Sequence, residues 1–415
     1  MIYKSPYKTD DPKITFNILN KEKGVIIFGT GNCGAITRMA LENANIKILA
    51  LSDNNLHRWG KKIDGIDIIP PEKIVSNFKN IPVVIAVDLN FPYIRKQLTE
   101  IGVKKIFDCD FVFSELEIDL KKCKNVTWSE TRFKQKIDLY MYSVLAHKNK
   151  DTTLRVDSID LMLTEKCSLK CKDCSNLMQY YKKPIDTDYD ILVKAMDKIM
   201  NSVDFIDELR VLGGDPFMYK ELSKIINKLS TYKNVERIVV YTNAKFIPKN
   251  RNLDYLRLPR VILDITNYGE ASSAADKFVD FAKKEGIAYS MNHCNTWQDC
   301  GRIVPKSNKT EKELEHQFNN CCNSDLISLL HGKLFRCPFS ANGVNLKAFA
   351  ANKDDEIDLN DDSMSKKDLR DKIMYLAFGK KFLTACRFCN GRDYSTANIP
   401  SAIQAKTKLD YKFQT

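Results

Sequence analysis

Three cysteines stand close together in the middle of the 415-residue chain, at Cys167, Cys171 and Cys174. Thiolates at such short spacings hold iron–sulfur clusters or zinc. The C-x3-C-x2-C pattern supplies three thiolates from one tight loop, which leaves the fourth iron of a 4Fe–4S cube without a protein ligand. Structural zinc usually has four ligands, often in two C-x2-C pairs. The asymmetric set therefore favours a cluster whose open iron binds a small molecule directly.

A second group of cysteines lies near the carboxyl terminus. Nine residues separate Cys322 from Gly332, and four more separate that glycine from Cys337, while Cys386 and Cys389 form a C-x2-C pair. Cys321 is adjacent to Cys322 and is the alternative first member of the group. Four thiols in this arrangement predict a second metal centre. On spacing alone, an auxiliary 4Fe–4S cluster and a four-cysteine zinc site both fit.

The elements around the first cysteine loop alternate between strand-like and helix-like segments. Residues 159–164 form a short apolar strand that leads into the loop, and an apolar stripe at helical spacing predicts a helix over about 190–203. Alternation of this length indicates an α/β fold with a parallel sheet or partial barrel, in which polar residues at strand carboxyl ends meet on one face. Further strands are predicted at 209–212, 238–243 and 261–266.

The cysteine loop and these elements resemble the radical S-adenosylmethionine (SAM) enzymes over about residues 152–305. In that family the amino and carboxylate groups of SAM chelate the open iron, and one electron from the cluster cleaves SAM to a 5′-deoxyadenosyl radical. The resemblance implies a partial (β/α)6 barrel, a 4Fe–4S cluster on the three cysteines and SAM as cofactor. It also implies a flavodoxin or ferredoxin-type electron donor.

Glycines and polar residues after later strands correspond to SAM-binding positions of the family. The segment Gly213-Gly214-Asp215 resembles the family's Gly-Gly-Glu, whose backbone and carboxylate meet the SAM amino group. Aspartate in place of glutamate shortens the reach by one methylene. These side chains are also ordinary at strand ends and turns. The implied ribose contacts are Asn243, Asp264 and Thr266.

The second cysteine group resembles the twitch (SPASM-like) domain of radical SAM enzymes, which holds one auxiliary 4Fe–4S cluster. Residues 306–415 are assigned to this small α+β domain. Apolar segments at 326–330 and 334–337 flank His331-Gly332-Lys333, which predicts a hairpin. Because no cysteine follows Cys389, the longer SPASM arrangement with two auxiliary clusters is not expected.

A glycine-rich sequence near the amino terminus predicts a nucleotide-binding turn. Gly29, Gly31 and Gly34 form G-x-G-x-x-G between an apolar strand and a helix-like run, and Asp53 follows about twenty residues later. This is the dinucleotide fingerprint, in which glycines allow a diphosphate to approach a helix amino terminus and the acidic residue accepts from a ribose hydroxyl. NAD or a nucleotide sugar is one prediction, and a purely structural or docking role is the other.

The amino-terminal third is therefore predicted to be a separate unit. Residues 1–113 resemble the short Rossmann-like domains of bacterial nucleotide-sugar and polysaccharide enzymes. Residues 114–151 are predicted to form a helical connector whose aromatic side chains pack rather than act. Those aromatic residues are Trp128, Phe133, Tyr140 and Tyr142.

Composition limits the cellular setting and the partners. The formal net charge is +12, but the lysines are scattered, so nucleic-acid binding is not predicted. No apolar run is long enough to span a membrane, no export signal opens the chain, and thirteen cysteines predict thiols kept reduced in the cytoplasm. The acidic run at 354–362 is predicted to be a solvated loop.

The predicted activity is abstraction of hydrogen from a sugar or nucleotide-sugar by the deoxyadenosyl radical. Transfer of an electron to the auxiliary cluster would give dehydrogenation, whereas a hydrogen-atom donor would give epimerisation. Cys294 and Cys300, in the loop after a strand ending near residue 291, are the candidate donors, and both also fit bystander thiols. One alternative is a radical SAM maturase of a peptide or protein. Another is a non-catalytic iron–sulfur sensor or scaffold.

Overall fold

The computed structural model describes residues 2–3, 11–87, 91–115, 118–119, 122–124, 126, 130–149, 153–248, 252–323, 326–393 and 395–414. The chain divides into two compact units, Met1–Thr152 and Thr153–Thr415. Trp128 lies outside the described residues. Within those residues, no helix combines the length and the apolar character needed to cross a bilayer.

The amino-terminal unit contains short strands and six helices among its described residues. Its strands are β1 (Ile2–Tyr3), β2 (Val25–Phe28), β3 (Ile48–Ser52), β4 (Lys62–Ile63), β5 (Ile66–Ile69), β6 (Val83–Ile85), β7 (Ile106–Asp108) and β8 (Ile118–Asp119). Its helices are α1 (Pro12–Asn20), α2 (Asn32–Asn43), α3 (Lys73–Asn77), α4 (Phe91–Glu100), α5 (Asp110–Glu115) and α6 (Glu130–Asn149).

Six of these strands form one sheet in the order β4-β5-β3-β2-β6-β7. All neighbours except β4 and β5 are parallel. Strand β2 is buried along its whole length, as expected for a central strand of a parallel sheet. The parallel strands follow the order of a Rossmann half-sheet, with the glycine turn after the first strand. The predicted Rossmann-like parallel sheet is confirmed.

Helix α6 contributes to the core of this amino-terminal unit. Phe133, Ile137, Tyr140 and Val144 are buried in the same apolar cluster as the central strands. The Cys109 thiol lies 3.4 Å from the Tyr140 hydroxyl. The aromatic residues predicted to pack at Phe133 and Tyr140 therefore do so inside the unit.

The second unit carries a larger sheet. Its strands are β9 (Arg155–Met162), β10 (Phe205–Leu212), β11 (Val235–Thr242), β12 (Val261–Asn267), β13 (Tyr289–His293), β14 (Thr296–Gln298), β15 (Leu326–Leu330), β16 (Lys333–Phe335), β17 (Glu356–Asp358) and β18 (Asn398–Pro400). Its helices are α7 (Tyr189–Ser202), α8 (Leu222–Leu229), α9 (Ala275–Lys284), α10 (Glu311–Asn319), α11 (Pro338–Asn345) and α12 (Lys366–Met374).

Eight of these strands form one sheet in the order β13-β12-β11-β10-β9-β15-β16-β17. Strands β9 to β13 are consecutive and parallel, and β15 adds a sixth parallel strand beside β9. The predicted hairpin forms β15 and β16, with left-handed backbone at His331 (φ 48°) and Gly332 (φ 78°). The α/β class with a parallel sheet is confirmed, and the hairpin extends the same sheet that carries the first cysteine loop.

The two faces of this sheet differ in polarity. Ile159, Leu161, Leu209 and Val211 point to the side covered by helices and join its apolar core. Because side chains alternate along a strand, the residues between them point to the opposite face. That face carries buried or half-buried polar side chains, which we call the polar inner face. Its members include Asp160, Glu208, Arg210, Tyr241 and Asp264.

The prediction that residues 354–362 form a solvated loop is wrong in part. Asp355 is buried, pairs with Lys380 at 2.7 Å and accepts a hydrogen bond of 2.7 Å from the backbone N–H of Thr384. The next residues form β17 at the edge of the sheet. The acidic run therefore fixes the segment that leads to Cys386.

Candidate functional site

The three-cysteine loop follows β9 and packs directly against the end of β10. The backbone N–H of Gly214 donates to Thr164 at 2.7 Å, and that of Asp215 donates to Lys166 at 2.9 Å. A Cβ atom at Gly213 would lie 2.4 Å from the Thr164 oxygen, and one at Gly214 would lie 2.1 Å from the Lys166 oxygen. Gly213 also has φ of 147°, which favours glycine. Both glycines are therefore required by the approach of the loop backbone.

Asp215 links the ends of two strands beside the cysteine loop. Its carboxylate accepts from Thr242 Oγ1 at 2.9 Å, from the Asn243 backbone at 3.2 Å and from the Phe217 backbone at 3.0 Å. Burial raises the pKa of Asp215, and these hydrogen bonds oppose the rise. The negative charge of Asp215 in turn contributes to a raised pKa at Cys167. The contact with a SAM amino group stays a prediction.

The thiols of the three-cysteine loop have raised pKa values, in part because their charges repel one another. Burial is the main cause of a raised pKa at Cys167, Cys171 and Cys174, and the value for Cys171 rises to about 11. The charges of Cys171 and Cys174 raise the pKa of Cys167 further. Asn243 Nδ2 lies 3.5 Å from Cys167 Sγ. Clustered, protonated thiols at a strand end suit a metal centre that displaces their protons on binding.

Within the described residues, no three His, Cys, Asp or Glu side chains converge as ligands of a single ion. A 4Fe–4S cube places each thiolate on a different iron, so its ligands stand farther apart than those of one ion. The observations that bear on cluster binding are therefore the effects of the thiol charges on one another's pKa and the cysteine-lined cavity described below. The three clustered thiols fit such a cluster.

A carboxyl-terminal segment, residues 402–409, lies along the three-cysteine loop, and we call it the C-terminal strap. The Lys172 N–H donates to Ile403 at 2.9 Å, and the Ala405 N–H donates to Lys170 at 2.6 Å. Gln404 accepts from the Lys170 backbone at 2.7 Å, and its Nε2 lies 3.3 Å from Cys171 Sγ. The strap thus fixes the loop and donates a hydrogen bond to one thiol.

Lys408 extends the strap toward the other two thiols. Its Nζ donates to the Met178 carbonyl at 2.8 Å. Burial lowers the pKa of Lys408, and the charges of Cys167 and Cys174 oppose that fall. The strap was missed by sequence reasoning because no local pattern connects residues separated by more than two hundred positions.

Five cysteines line one cavity that is open to solvent. Cys322 is exposed and is absent from the lining, whereas Cys321 is part of it. Burial is the main cause of the raised pKa at Cys321, and the charges of the adjacent Cys322 and of Cys337 and Cys386 add to it. The structure therefore brings Cys321, rather than Cys322, into the second cysteine group. The five lining cysteines are Cys300, Cys321, Cys337, Cys386 and Cys389.

Short elements position the thiols around this cavity. Cys337 follows the hairpin and caps α11, with its sulfur 3.3 Å from the Ser340 nitrogen. Cys386 and Cys389 lie in and just after a 3-10 turn at Thr384–Phe388. Gln317 of α10 donates to the carbonyls of Cys386 and Cys389 at 3.2 and 3.5 Å. Buried thiols from four segments around one cavity fit an auxiliary 4Fe–4S cluster.

The two candidate hydrogen-atom donors lie in different surroundings. Cys294 is half-buried in the turn between β13 and β14, and its charge contributes to a raised pKa at Tyr268. The charges of the three cysteines of the first loop also raise the pKa of Tyr268, so Cys294 lies on the side of the first cysteine loop. Cys300 is buried and lines the second cavity, and burial raises its pKa to about 11. Both donor roles stay predictions.

The three residues predicted to contact the SAM ribose lie in different surroundings. Asn243 lies beside Cys167, as described above. Asp264 lies on the polar inner face, where it accepts from Ser290 Oγ at 2.7 Å and Asn292 Nδ2 at 3.1 Å, and burial raises its pKa. Thr266 is half-buried near the end of β12. The structure therefore brings Asn243 to the cysteine loop and gives Asp264 partners on β13.

Ion pairs extend across the polar inner face. Arg210 NH1 lies 3.1 Å from Asp160 Oδ1. Glu208 accepts from Arg237 NH2 and from the Tyr241 hydroxyl, each at 2.8 Å. Sequence reasoning missed this group, although charged residues inside otherwise apolar strands were the available signal. The arrangement presents donors and acceptors of the kind that hydroxyl groups bind.

The glycine-rich turn of the amino-terminal unit is tightly packed at two positions and open at the third. A Cβ at Gly34 would lie 2.0 Å from the Gly29 oxygen, and Gly29 itself has φ of 112°. Nothing lies within 4 Å of a Cβ built at Gly31. Gly31 is the N-cap of α2 and supplies no side-chain hydrogen bond to the helix. A helix amino terminus that follows a glycine turn is a position at which phosphates bind in such motifs.

The acidic residue of the same fingerprint is engaged by the protein. Asp53 accepts from the Thr30 backbone at 2.9 Å, from the Thr30 hydroxyl, and from the Asn55 backbone at 2.8 Å. Arg58 NH1 donates to the Thr30 carbonyl at 2.8 Å. An ionised carboxylate offers roughly four acceptor positions, so these bonds occupy most of them. Binding of NAD or a nucleotide sugar stays a prediction.

Comparison with known proteins finds a family match in each unit. Residues 155–279 match a family described as 4Fe-4S single cluster domain, and residues 21–107 match one described as C2185-like, N-terminal. A GTP 3′,8-cyclase of Campylobacter jejuni is 25% identical over 148 residues, covering 33% of this chain and 44% of that protein. Molybdenum cofactor biosynthesis protein 1 of Dictyostelium discoideum is 26% identical over 130 residues, covering 30% of this chain and 19% of that protein.

The chain spans less than half the length of these curated relatives. The 4Fe-4S family match lies within the second unit and contains the three-cysteine loop after its first strand. The predicted resemblance to radical SAM enzymes is confirmed for this part of the chain.

Two solved structures are similar over 62% of the chain. BtrN in complex with AdoMet and 2-DOIA has a TM-score of 0.36 and 17% identity, with 98% of that chain covered. The structure of anSMEcpe with bound AdoMet and the Cp18Cys peptide has a TM-score of 0.37 and 12% identity, with 93% covered.

The choice between the adjacent cysteines gives a direct prediction. Cys321→Ser removes a thiol from the cavity, so we expect the protein to lose its auxiliary cluster. Cys322→Ser changes an exposed neighbour, so we expect it to keep the iron content of the parent. Iron and sulfide analysis with Mössbauer spectroscopy of anaerobically reconstituted protein measures this. Loss of about four irons in the Cys322 variant alone would contradict the assignment.

The C-terminal strap gives a second prediction. Gln404→Ala removes the hydrogen bond to the Cys171 sulfur and the acceptor for the Lys170 backbone, so we expect the first cluster to lose iron to a chelator several-fold faster. Gln414→Ala is the matched control, because its Nε2 bonds only to the nearby Lys412 carbonyl. Equal rates of iron loss in the two variants would contradict a role for the strap.

Proposed function

We propose that this protein is a radical SAM enzyme that abstracts hydrogen from a sugar or nucleotide-sugar. The observation that carries the proposal is the pairing of two separate thiol groups within one unit. Three clustered thiols follow β9, and five more line the cavity beside α10 and α11. A cluster bound at the first group would supply one electron for cleavage of SAM to methionine and a 5′-deoxyadenosyl radical. The enzyme would act in the cytoplasm, with a flavodoxin or ferredoxin-type donor.

The second thiol group makes oxidation of an alcohol the favoured outcome. Hydrogen abstraction from a carbinol C–H bond converts the radical to 5′-deoxyadenosine and leaves a substrate radical. Loss of the hydroxyl proton and one electron then forms the C=O bond. A cluster held by the second thiol group would accept this electron and could return it to a cluster at the first group. The sum is SAM plus alcohol giving methionine, 5′-deoxyadenosine, ketone and one proton.

Two features support a sugar or nucleotide-sugar as the substrate. The polar inner face offers charged and hydroxyl-bearing groups suited to a polyhydroxylated molecule, among them Asp160, Arg210 and Tyr241. The amino-terminal unit has the strand order and glycine turn of a nucleotide-binding half-sheet. One similar protein is a GTP 3′,8-cyclase, which acts on a nucleotide, and this agrees with a nucleotide-linked substrate.

Epimerisation is the second outcome, because Cys294 lies on the side of the first cysteine loop. A hydrogen atom donated by its thiol to the opposite face of the substrate radical would invert the carbon. The two outcomes differ in mass. A ketone is two mass units lighter than its alcohol, whereas an epimer has the same mass.

Substrate-dependent 5′-deoxyadenosine formation tests the proposal. Reconstituted protein with SAM and dithionite is incubated with nucleotide-sugars carrying deuterium on ring carbons, and with peptides labelled in the same way. We expect nucleotide-sugars or free sugars to increase 5′-deoxyadenosine and to transfer deuterium into it. Transfer from peptides alone would contradict the sugar assignment and favour a maturase. Absence of SAM cleavage under all conditions would favour a sensor or scaffold.

A ketone product would assign the dehydrogenation pathway. For an epimer, we expect Cys294→Ser to stop turnover after deuterium transfer, while Cys300→Ser continues to turn over.

A further inference from the structure

Arg392 lies on the wall of the auxiliary cavity together with the five cysteines. A sharp turn after Cys389 places it there. Gly391 has φ of 87°, and its N–H lies 3.3 Å from Cys389 Sγ. The carbonyl of Arg392 accepts from the Cys322 backbone at 3.0 Å, which ties the turn to the segment that carries Cys321. The backbone that carries Arg392 is thus held at both ends of the cysteine group.

The charge of Arg392 has few recorded partners within the protein. Its NH1 lies 3.3 Å from Asn323 Oδ1, and its Nε is shielded from solvent without a hydrogen-bond partner. Among the described residues, no carboxylate lies within ion-pair distance of this guanidinium. Arg302 provides the contrast, because its Nε pairs with Asp173 at 2.6 Å.

Thiols dominate the electrostatic surroundings of Arg392. The charges of Cys322, Cys300, Cys321 and Cys389 raise the pKa of Arg392 against the effect of its burial. Arg392 also lowers the pKa of Asp160, although the two side chains form no ion pair. In return, Arg392 lowers the pKa of Cys174 in the first loop. It also lowers that of Cys337 in the cavity. Arg392 therefore faces both thiol groups.

A shielded cation needs a compensating negative charge. A 4Fe–4S cluster with four thiolate ligands is a net anion, and reduction adds one more negative charge. A fixed cation beside it stabilises the reduced form more than the oxidised form, because the attraction grows with the charge. The effect is strongest where solvent is excluded.

We propose that Arg392 is the counter-charge of the auxiliary cluster and raises its reduction potential. This inference rests on the proposed function, because it assumes that an auxiliary cluster occupies the cavity. A higher potential makes that cluster a better acceptor for the electron released when the substrate radical becomes a ketone. Arg392 acts as a positioning residue, through charge rather than through contact with substrate.

The test is a redox titration followed by electron paramagnetic resonance. It uses the Cys167→Ala/Cys171→Ala/Cys174→Ala background, so that only the auxiliary cluster contributes. In this background we expect Arg392→Gln to lower the midpoint potential and Arg392→Lys to retain most of the parent value. A tenfold change in the ratio of reduced to oxidised cluster at fixed potential corresponds to 59 mV for one electron, and we expect a shift of about that size.

Arg302→Gln is the matched control, because that arginine is half-exposed and paired with Asp173, and we expect it to leave the potential unchanged. An unchanged or higher midpoint potential in Arg392→Gln would overturn this inference and leave the proposed function untouched. If Arg392→Gln binds no cluster while Arg392→Lys does, the need for charge is supported. Failure of both would overturn it, since packing rather than charge would then be required. If the Cys167→Ala/Cys171→Ala/Cys174→Ala background itself binds no auxiliary cluster, both this inference and the proposed function are overturned.

Discussion

The close backbone contact between the end of β10 and the start of the three-cysteine loop is the constraint on which the first centre depends. Gly213 and Gly214 lie so near the carbonyls of Thr164 and Lys166 that a side chain would displace the loop, and displacements of this kind cost about 1–3 kcal/mol in packed interiors. The contact fixes the direction of the loop before any cluster binds. Asp215 and the C-terminal strap then secure it from two further sides.

The second centre depends on the same sheet through different contacts. The hairpin that continues the sheet beyond β9 delivers Cys337, and the buried pair of Asp355 and Lys380 fixes the turn that delivers Cys386. One extended sheet thus positions both thiol groups. The charge of Arg392 acts on thiols of both groups, since it lowers the pKa of Cys174 and that of Cys337.

Features set by local sequence were predicted correctly. Strand β2, helix α7, the parallel sheets and the hairpin at His331-Gly332 follow from periodicity and turn chemistry. Features set by packing between residues far apart in the sequence were not predicted. Neighbouring residues cannot show that Cys321 faces a cavity while Cys322 faces solvent, or that Gln404 reaches Cys171. Asp355 was predicted to be solvated because its charge was considered without Lys380, its partner twenty-five positions later.

The central claim is that one SAM-cleaving cluster and one auxiliary cluster share this chain. The most direct measurement compares the parent with the Cys167→Ala/Cys171→Ala/Cys174→Ala variant after anaerobic reconstitution, by iron and sulfide content and by 5′-deoxyadenosine formed with reductant and SAM. The account predicts about eight irons per parent chain and about four in the variant, with loss of 5′-deoxyadenosine. Zinc in place of iron, or two clusters without SAM cleavage in the parent, would contradict it.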